Sequence, residues 1–288
     1  MITVFTPVYN RAYILTVLYD SLCKQTFSNF EWLIVDDGSS DNLEELISLF
    51  VEENKICIRY FRQNNGGKHR AINYGVQLAK GELFFIVDSD DYLPKNSLER
   101  IFSHYIMIAD DNSFAGVCGL KCYPNGTSVG GDKSFCILDC TSLDFRYKYY
   151  YSGDMAEVIK TEVLKEYPFP DFEGERFCAE SLLWNRIAQK YKFRYFQESV
   201  YICDYLEDGL SFYSVKNRMK SPTYAMSNYS ELSRMNIPLK IKLKSYVNYW
   251  RFSFCSSYSF MNKIKQINLF SVFLLPFGLL LHCRDLRK

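Results

Sequence analysis

Apolar strand patterns and one-sided helix patterns alternate through the first third of the chain. Residues 2–6 form a short apolar run, and 12–25 place Ile14, Leu15, Leu18 and Leu22 on one helical face. Residues 30–35 predict a second strand and 43–54 a helix, with Asp41 or Asn42 as its N-cap. A third strand over 56–62, a helix over 68–79 and a fourth strand over 83–87 complete the series. Such alternation predicts an α/β fold of right-handed βαβ units, a mostly parallel sheet flanked by helices. Residues 114–140 read differently: short strand patterns broken by Pro124-Asn125-Gly126 and Gly130-Gly131 predict a hairpin excursion. A helix over 180–191 and a strand over 194–203 follow.

Beyond about residue 214 the pattern turns helical, and the charge turns with it. The net charge of the 288 residues is +1, which conceals an asymmetry. Residues 1–213 carry 21 Lys/Arg against 31 Asp/Glu, whereas 214–288 carry 13 against 2. The expected division is therefore an acidic catalytic domain over 1–213 and a helical, basic and aromatic extension over 214–288. Residues 269–281 form the longest apolar stretch, interrupted by Pro276 and Gly278 and shorter than the ~20 residues that span a bilayer. Two readings stand for it: a segment lying at an anionic membrane surface, or a terminal helix packed on the body with its cations solvated.

Residues 1–7 lack a charged leader and read as a first strand, so the expected location is the cytoplasm, peripheral at the inner face of the plasma membrane. The ten cysteines are then expected as reduced thiols. Cys118-x3-Cys122 and Cys136-x3-Cys140 are spaced more loosely than the pairs of most zinc ribbons, and small buried cysteines are the default reading.

The candidate chemistry lies at the strand ends. Thr6-Pro7-Val8-Tyr9-Asn10-Arg11 follows the first strand, and Asp36-Asp37-Gly38-Ser39-Ser40-Asp41 the second. Asn64-Asn65-Gly66-Gly67-Lys68 follows the third, and Asp88-Ser89-Asp90-Asp91 the fourth. Carboxyl ends of successive parallel strands share one rim, where open α/β sheets bind ligands. Three carboxylates in four residues repel one another. They form either a solvated turn capping the helix that begins near Asn96, or a site for a hard cation such as Mg²⁺ or Mn²⁺. A rim of carboxylates, backbone amides and a cation suits a nucleoside diphosphate. No G-x-x-x-x-G-K-[ST] loop or G-x-G-x-x-G fingerprint is present, which argues against ATPase and dinucleotide readings.

In order and spacing these four motifs, including Asn65-x-Gly67-x3-Ala71-x-Asn73-x-Gly75, resemble glycosyltransferase family 2 over about residues 2–95. The resemblance implies the GT-A fold, a Rossmann-like sheet, and inverting transfer of a sugar from a nucleotide diphosphate donor, uridine-based here, with Mn²⁺ or Mg²⁺ as cofactor. It implies that Thr6, Pro7 and Tyr9 shape the base pocket and that Asp37 bonds the pyrimidine. Lys68 would lie near base or phosphates, Asp88 and Ser89 at the donor with Asp88 facing the ribose, and Asp90 on the metal. Asp91 would hold a metal-bound water or cap the following helix, the second being preferred. A general base is needed on the acceptor hydroxyl. The family often carries Glu-Asp about ninety residues later; here Glu180 is followed by Ser181, so Glu180 is the candidate base, with Glu173, Glu175 and Asp154 in reserve. Where relatives carry a metal-binding His before Leu-Ser, this chain has Leu206.

The expected partners are thus a nucleotide-sugar donor and a glycan or lipid-linked acceptor, as in surface polysaccharide synthesis, with an anionic membrane surface and no nucleic acid. The competing functions are a nucleotide-sugar-binding protein without turnover and a nucleotidyltransferase.

Overall fold

The computed structural model of the protein describes residues 1–131, 133–203 and 213–287. Its first half runs β1 (Ile2–Val8), α1 (Ala12–Cys23), β2 (Phe30–Asp36), α2 (Leu43–Glu53), β3 (Ile58–Arg62), α3 (Lys68–Leu78), β4 (Leu83–Ile86) and α4 (Ser97–Ile106). β1 pairs in parallel with β2 and β4, and β2 with β3. All seven residues of β2 are buried, the state of a parallel strand covered on both faces.

The chain continues through β5 (Phe114–Cys122), β6 (Ile137–Cys140), α5 (Ser142–Tyr147), β7 (Met155–Lys160), α6 (Thr161–Glu166), α7 (Ser181–Ile187) and β8 (Lys192–Ile202). Among the described residues five further helices follow: α8 (Ser214–Lys220), α9 (Pro222–Arg234), α10 (Leu239–Ser253), α11 (Phe260–Lys265) and α12 (Leu275–Asp285), the last preceded by a 3₁₀ turn, Leu269–Leu274. The sheet has eight strands in the order β3-β2-β1-β4-β7-β5-β8-β6. It is parallel over β1–β4, and β7 runs antiparallel to both β4 and β5.

The hairpin expected over 114–140 forms only at its tip. The Tyr123 amide donates to the Thr127 carbonyl at 2.9 Å, closing the Pro124–Gly126 turn. The returning chain pairs with the end of β5 only as far as Val129, whose amide donates to the Lys121 carbonyl at 2.9 Å, with Cys122 bridged to Ser128. Instead β6 pairs with β8 at the sheet edge, while β5 lies between β7 and β8. Burial explains the difference. Phe114–Gly119 is buried throughout and needs a strand on each side, whereas 124–127 are exposed.

The helices are fixed by contacts that sequence spacing does not reveal. Asp41 Oδ2 accepts from the Ala12 amide at 2.9 Å, so it caps α1 rather than α2, whose N-cap Asn42 makes no side-chain cap bond. Gly75 brings α3 against β1: a Cβ there would lie 2.1 Å from the ring of Phe5, itself fully buried and stacked on Phe84. Gly75→Ala is expected to destabilise the protein by about 2–3 kcal/mol, an overpacking cost. Thermal melting of the two proteins checks this.

The chain divides into two compact units. One comprises Met1–Pro168 and the stretch that begins at Arg186, and the other comprises Phe169–Asn185 and the C-terminal helices. This differs from the division at 213 that charge predicts, because residues 169–185 pack with the extension. The Glu175 carboxylate accepts from the Thr223 amide at 2.8 Å and the Tyr224 amide at 3.0 Å, filling the open first turn of α9. Ser221 Oγ accepts from the Phe177 amide at 3.0 Å, and the Tyr224 hydroxyl donates to the Pro170 carbonyl at 2.9 Å. Charge composition reports the solvent-facing surface and is blind to such contacts.

Candidate functional site

The loops after β1 and β2 are tied together at the rim. Asn10 takes a left-handed backbone, φ 53°, which asparagine tolerates. Its amide donates to Ser39 Oγ at 2.9 Å, and its Oδ1 accepts from the Ser40 amide at 2.7 Å. The Asp37 amide donates to the Val8 carbonyl at 2.8 Å. These bonds set Pro7 and the half-exposed Tyr9 at the rim. Thr6 serves the core instead. It is fully buried, and its Oγ1 accepts from Trp32 Nε1 at 3.0 Å, which turns the Thr6 side chain away from the rim.

Asp36 and Asp37 look alike in sequence and divide the work. Asp36 accepts from the Ser39 amide at 2.7 Å and from the Tyr60 hydroxyl at 2.9 Å. Asp37, also buried, accepts from Gln63 Nε2 at 2.7 Å, the Gly66 amide at 2.8 Å and the Gly67 amide at 2.7 Å. Asp37 therefore fixes the loop that precedes α3, and with it the position of Lys68.

Lys68 Nζ lies 2.5 Å from Asp88 Oδ1. Burial raises the Asp88 carboxyl, but the Lys68 and Lys121 charges outweigh it and hold that group below the usual carboxylate range. Asp90 goes the other way. Burial, and then the Asp88 charge, push it above its ordinary value against the weaker pull of Arg11 and Lys68. Ser89 between them is buried.

Asp91 does not cap the next helix; α4 begins after Asn96 with no side-chain cap. Instead Asp91 Oδ2 accepts from the Tyr201 hydroxyl at 2.6 Å, and that hydroxyl accepts from the Asp88 amide at 3.0 Å. Burial and the Asp88 charge push the Asp91 carboxyl up to about 7. Lys121 Nζ sits 4.2 Å from the centroid of the Tyr201 ring. Tyr201 and Lys121 are the contributors that motif reading missed. They come from paired strands β8 and β5, with no local signal in either. Tyr201→Phe removes both bonds of the hydroxyl and should cost about 1–3 kcal/mol of stability. Thermal melting of both proteins measures the loss.

Among the described residues no three His, Cys, Asp or Glu side chains gather into a group that could hold a metal unaided. Mg²⁺ and its relatives are commonly held by one or two carboxylates, with phosphate oxygens and waters completing the shell, and Asp90 suits that role. Its burial beside another carboxylate leaves negative charge that a cation relieves. Cys118, Cys122 and Cys140 are buried, and burial pushes the Cys118 thiol well above its ordinary value.

Glu180 immediately precedes α7 in the other compact unit, its carbonyl accepting from the Leu183 amide at 2.9 Å. Ser181 Oγ accepts from Asn228 Nδ2 at 3.3 Å. Of the reserve carboxylates, Glu175 is committed to α9, whereas Glu173 and Asp154 are exposed. Leu206 lies outside the described residues.

Residues 3–134 match the family described as "Glycosyl transferase family 2", over the strands and loops that build this rim. Over this stretch the chain is similar to that family. Glycosyltransferase GlyG of Streptococcus pneumoniae serotype 4 is 38% identical over 103 residues, 35% of this chain and 34% of the relative. An uncharacterized glycosyltransferase of Haemophilus influenzae is 29% identical over 187 residues, 62% of this chain and 69% of its own. The match with GlyG and with two Rickettsia relatives spans 34%, 16% and 30% of their lengths. Among solved structures, S. aureus TarS 1–349 in complex with UDP-GlcNAc superposes with a TM-score of 0.68 at 19% identity, covering 98% of this chain and 88% of that one. The mannosyltransferase PcManGT of Pyrobaculum calidifontis, in complex with GDP-Man and Mn²⁺, gives 0.61 at 15% identity, covering 99% and 87%. These likenesses show that the matched stretch has the GT-A fold.

Proposed function

We propose that this chain is a metal-dependent, inverting glycosyltransferase that moves a sugar from a uridine-diphosphate donor to a hydroxyl of a glycan or lipid-linked acceptor, as in surface polysaccharide synthesis. The observation that carries this reading is Asp90, a carboxylate held above its ordinary pKa at the end of β4, beside the Lys68–Asp88 ion pair. A bound Mn²⁺ or Mg²⁺ would stabilise charge on the departing diphosphate. Asp90 would hold that ion. Pro7 and Tyr9 would border the base, with Asp37 keeping the Gly66–Gly67 loop in place against it. Thr6 would act only through its backbone. Lys68 would stand at the phosphates and Asp88 at the ribose, with Ser89 packed between donor and core. Glu180 would take the proton of the acceptor hydroxyl. A cytoplasmic location at a membrane face fits a lipid-linked acceptor.

Ser181, standing where the family resemblance implies a second carboxylate, favours one other reading: donor binding without turnover. Glu180→Gln separates the two. A general base contributes about 10²–10⁴-fold, so transfer should fall by that factor while UDP binding with Mn²⁺ stays intact. Unchanged transfer would remove Glu180 from the role. If the unaltered protein binds UDP with Mn²⁺ yet transfers sugar to no acceptor, the binding-only reading stands.

A further inference from the structure

The last turn-and-helix, 269–285, turns Ser271, Gly278 and Asp285 inward. Ser271 is fully buried, its carbonyl accepting from Trp250 Nε1 at 2.8 Å. Asp285 takes a two-pronged ion pair from Arg251, at 2.5 and 2.8 Å, with both side chains largely buried. Gly278 presses against α10: a Cβ there would lie 2.6 Å from Trp250 Cβ. Val272, Leu274 and Leu275 pack inward against the core of the C-terminal helices, but other large apolar side chains point outward. Phe273 is 75% exposed, Leu280 and Leu269 68%, and Phe277 57%. Phe277 and Leu280 lie three residues apart on one face of α12, and Leu269 and Phe273 are exposed on the 3₁₀ turn that leads into it, so the exposed apolar side chains are clustered along one segment rather than scattered exceptions.

Charge says what covers this stripe. After Glu231 the only acidic residue in the chain is Asp285, and Arg251 neutralises it. Lys263 and Lys265 of α11 lie before the stripe, with Arg284 and Arg287 after it. No helix among the described residues is long and apolar enough to cross a bilayer. An apolar stripe with cations at both ends is the form of a segment lying in the lipid–water interface.

We propose that the outward face of residues 269–286 is a docking surface for an anionic phospholipid bilayer, with Phe273, Phe277 and Leu280 entering the interface and the flanking cations meeting lipid phosphates. The surface needs no catalytic function to operate and stands independently of the activity proposed above.

The test is sedimentation of the full chain with phosphatidylcholine vesicles and with vesicles that also contain phosphatidylglycerol. The protein should bind the anionic vesicles at least about tenfold better, with affinity falling as salt rises. Phe273→Ser with Phe277→Ser should weaken that binding by at least about tenfold. Both side chains are exposed, so the melting temperature should not move. Should that variant misfold, Lys265→Glu with Arg284→Glu must still abolish the preference for anionic lipid. Failure of the unaltered protein to bind anionic vesicles overturns the proposal, as does unchanged binding by the folded variants. If instead the unaltered chain is a dimer that Phe273→Ser with Phe277→Ser dissociates, and neither protein binds vesicles, a second copy covers the stripe and the lipid assignment is wrong.

Discussion

Asp90→Ala should lower kcat/KM for nucleotide-sugar turnover by at least about a thousandfold, some 4 kcal/mol of transition-state stabilisation, without lowering the melting temperature of the metal-free protein. The two halves of this expectation have one cause. Without a cation, the Asp90 carboxylate is a liability, pushed above its usual pKa by burial and by Asp88. Alanine removes that repulsion, so the apoprotein keeps or gains stability. It also removes the carboxylate proposed to anchor a cation against the diphosphate, and such electrostatic stabilisation is worth several kcal/mol. Turnover assays with Mn²⁺, calorimetric Mn²⁺ titration and melting in a chelator measure the three parts. Activity within tenfold of the unaltered protein would refute the assignment of Asp90. A lower melting temperature in chelator would instead mean that Asp90 supports the turn.

Asp37→Asn should behave in the opposite way, lowering stability as well as donor affinity. The three groups facing Asp37 are all donors: Gln63 Nε2 and the Gly66 and Gly67 amides. An asparagine offers one acceptor oxygen and turns its NH₂ against a donor, so at least one buried N–H loses its partner. Hydrogen bonds to charged groups contribute about 1.5–3 kcal/mol each, and the expected loss is about 2–4 kcal/mol. The loop carrying Lys68 should loosen with it, and UDP affinity should fall at least about tenfold. If Asp37 served only to read the base, Asp37→Asn would weaken UDP binding and leave the melting curve untouched. Melting and calorimetry on one variant separate these outcomes.

The parallel half of the sheet was legible in sequence because its signals are local. β1, β2 and β4 are short apolar runs, β3 mixes apolar and basic residues, the helices between them have one-sided patterns, and each strand end carries its polar cluster. The placement of β5 was not legible, since a buried strand does not state which partners cover it. The Asp88–Asp91 turn shows the same limit at the site. Three carboxylates in four residues announced a charged site, but dividing them between Lys68 and Tyr201 required residues 20 or more positions away in either direction. Asp91 looks like a helix cap in sequence and is a phenol acceptor in space. Asp41 likewise reads as the cap of the helix it precedes and serves the one before. The compact units also cross the charge boundary, for a related reason. Charge changes near 213, but Glu175 and Phe177 bond backbone and hydroxyl groups of the extension, and composition carries no trace of that.

The Glu175 cap on α9 bears on how this chain can be cut or recombined. The peptide that carries the candidate base, Glu180, is inherited structurally from the C-terminal helices and not from the sheet domain that precedes it in sequence. A protein shortened at 213 would leave residues 169–185 without the amides and hydroxyl that order them, so its silence in a transfer assay would say nothing about the removed helices. A chimera that borrows acceptor specificity from a relative should exchange 169–185 and the C-terminal helices as one cassette.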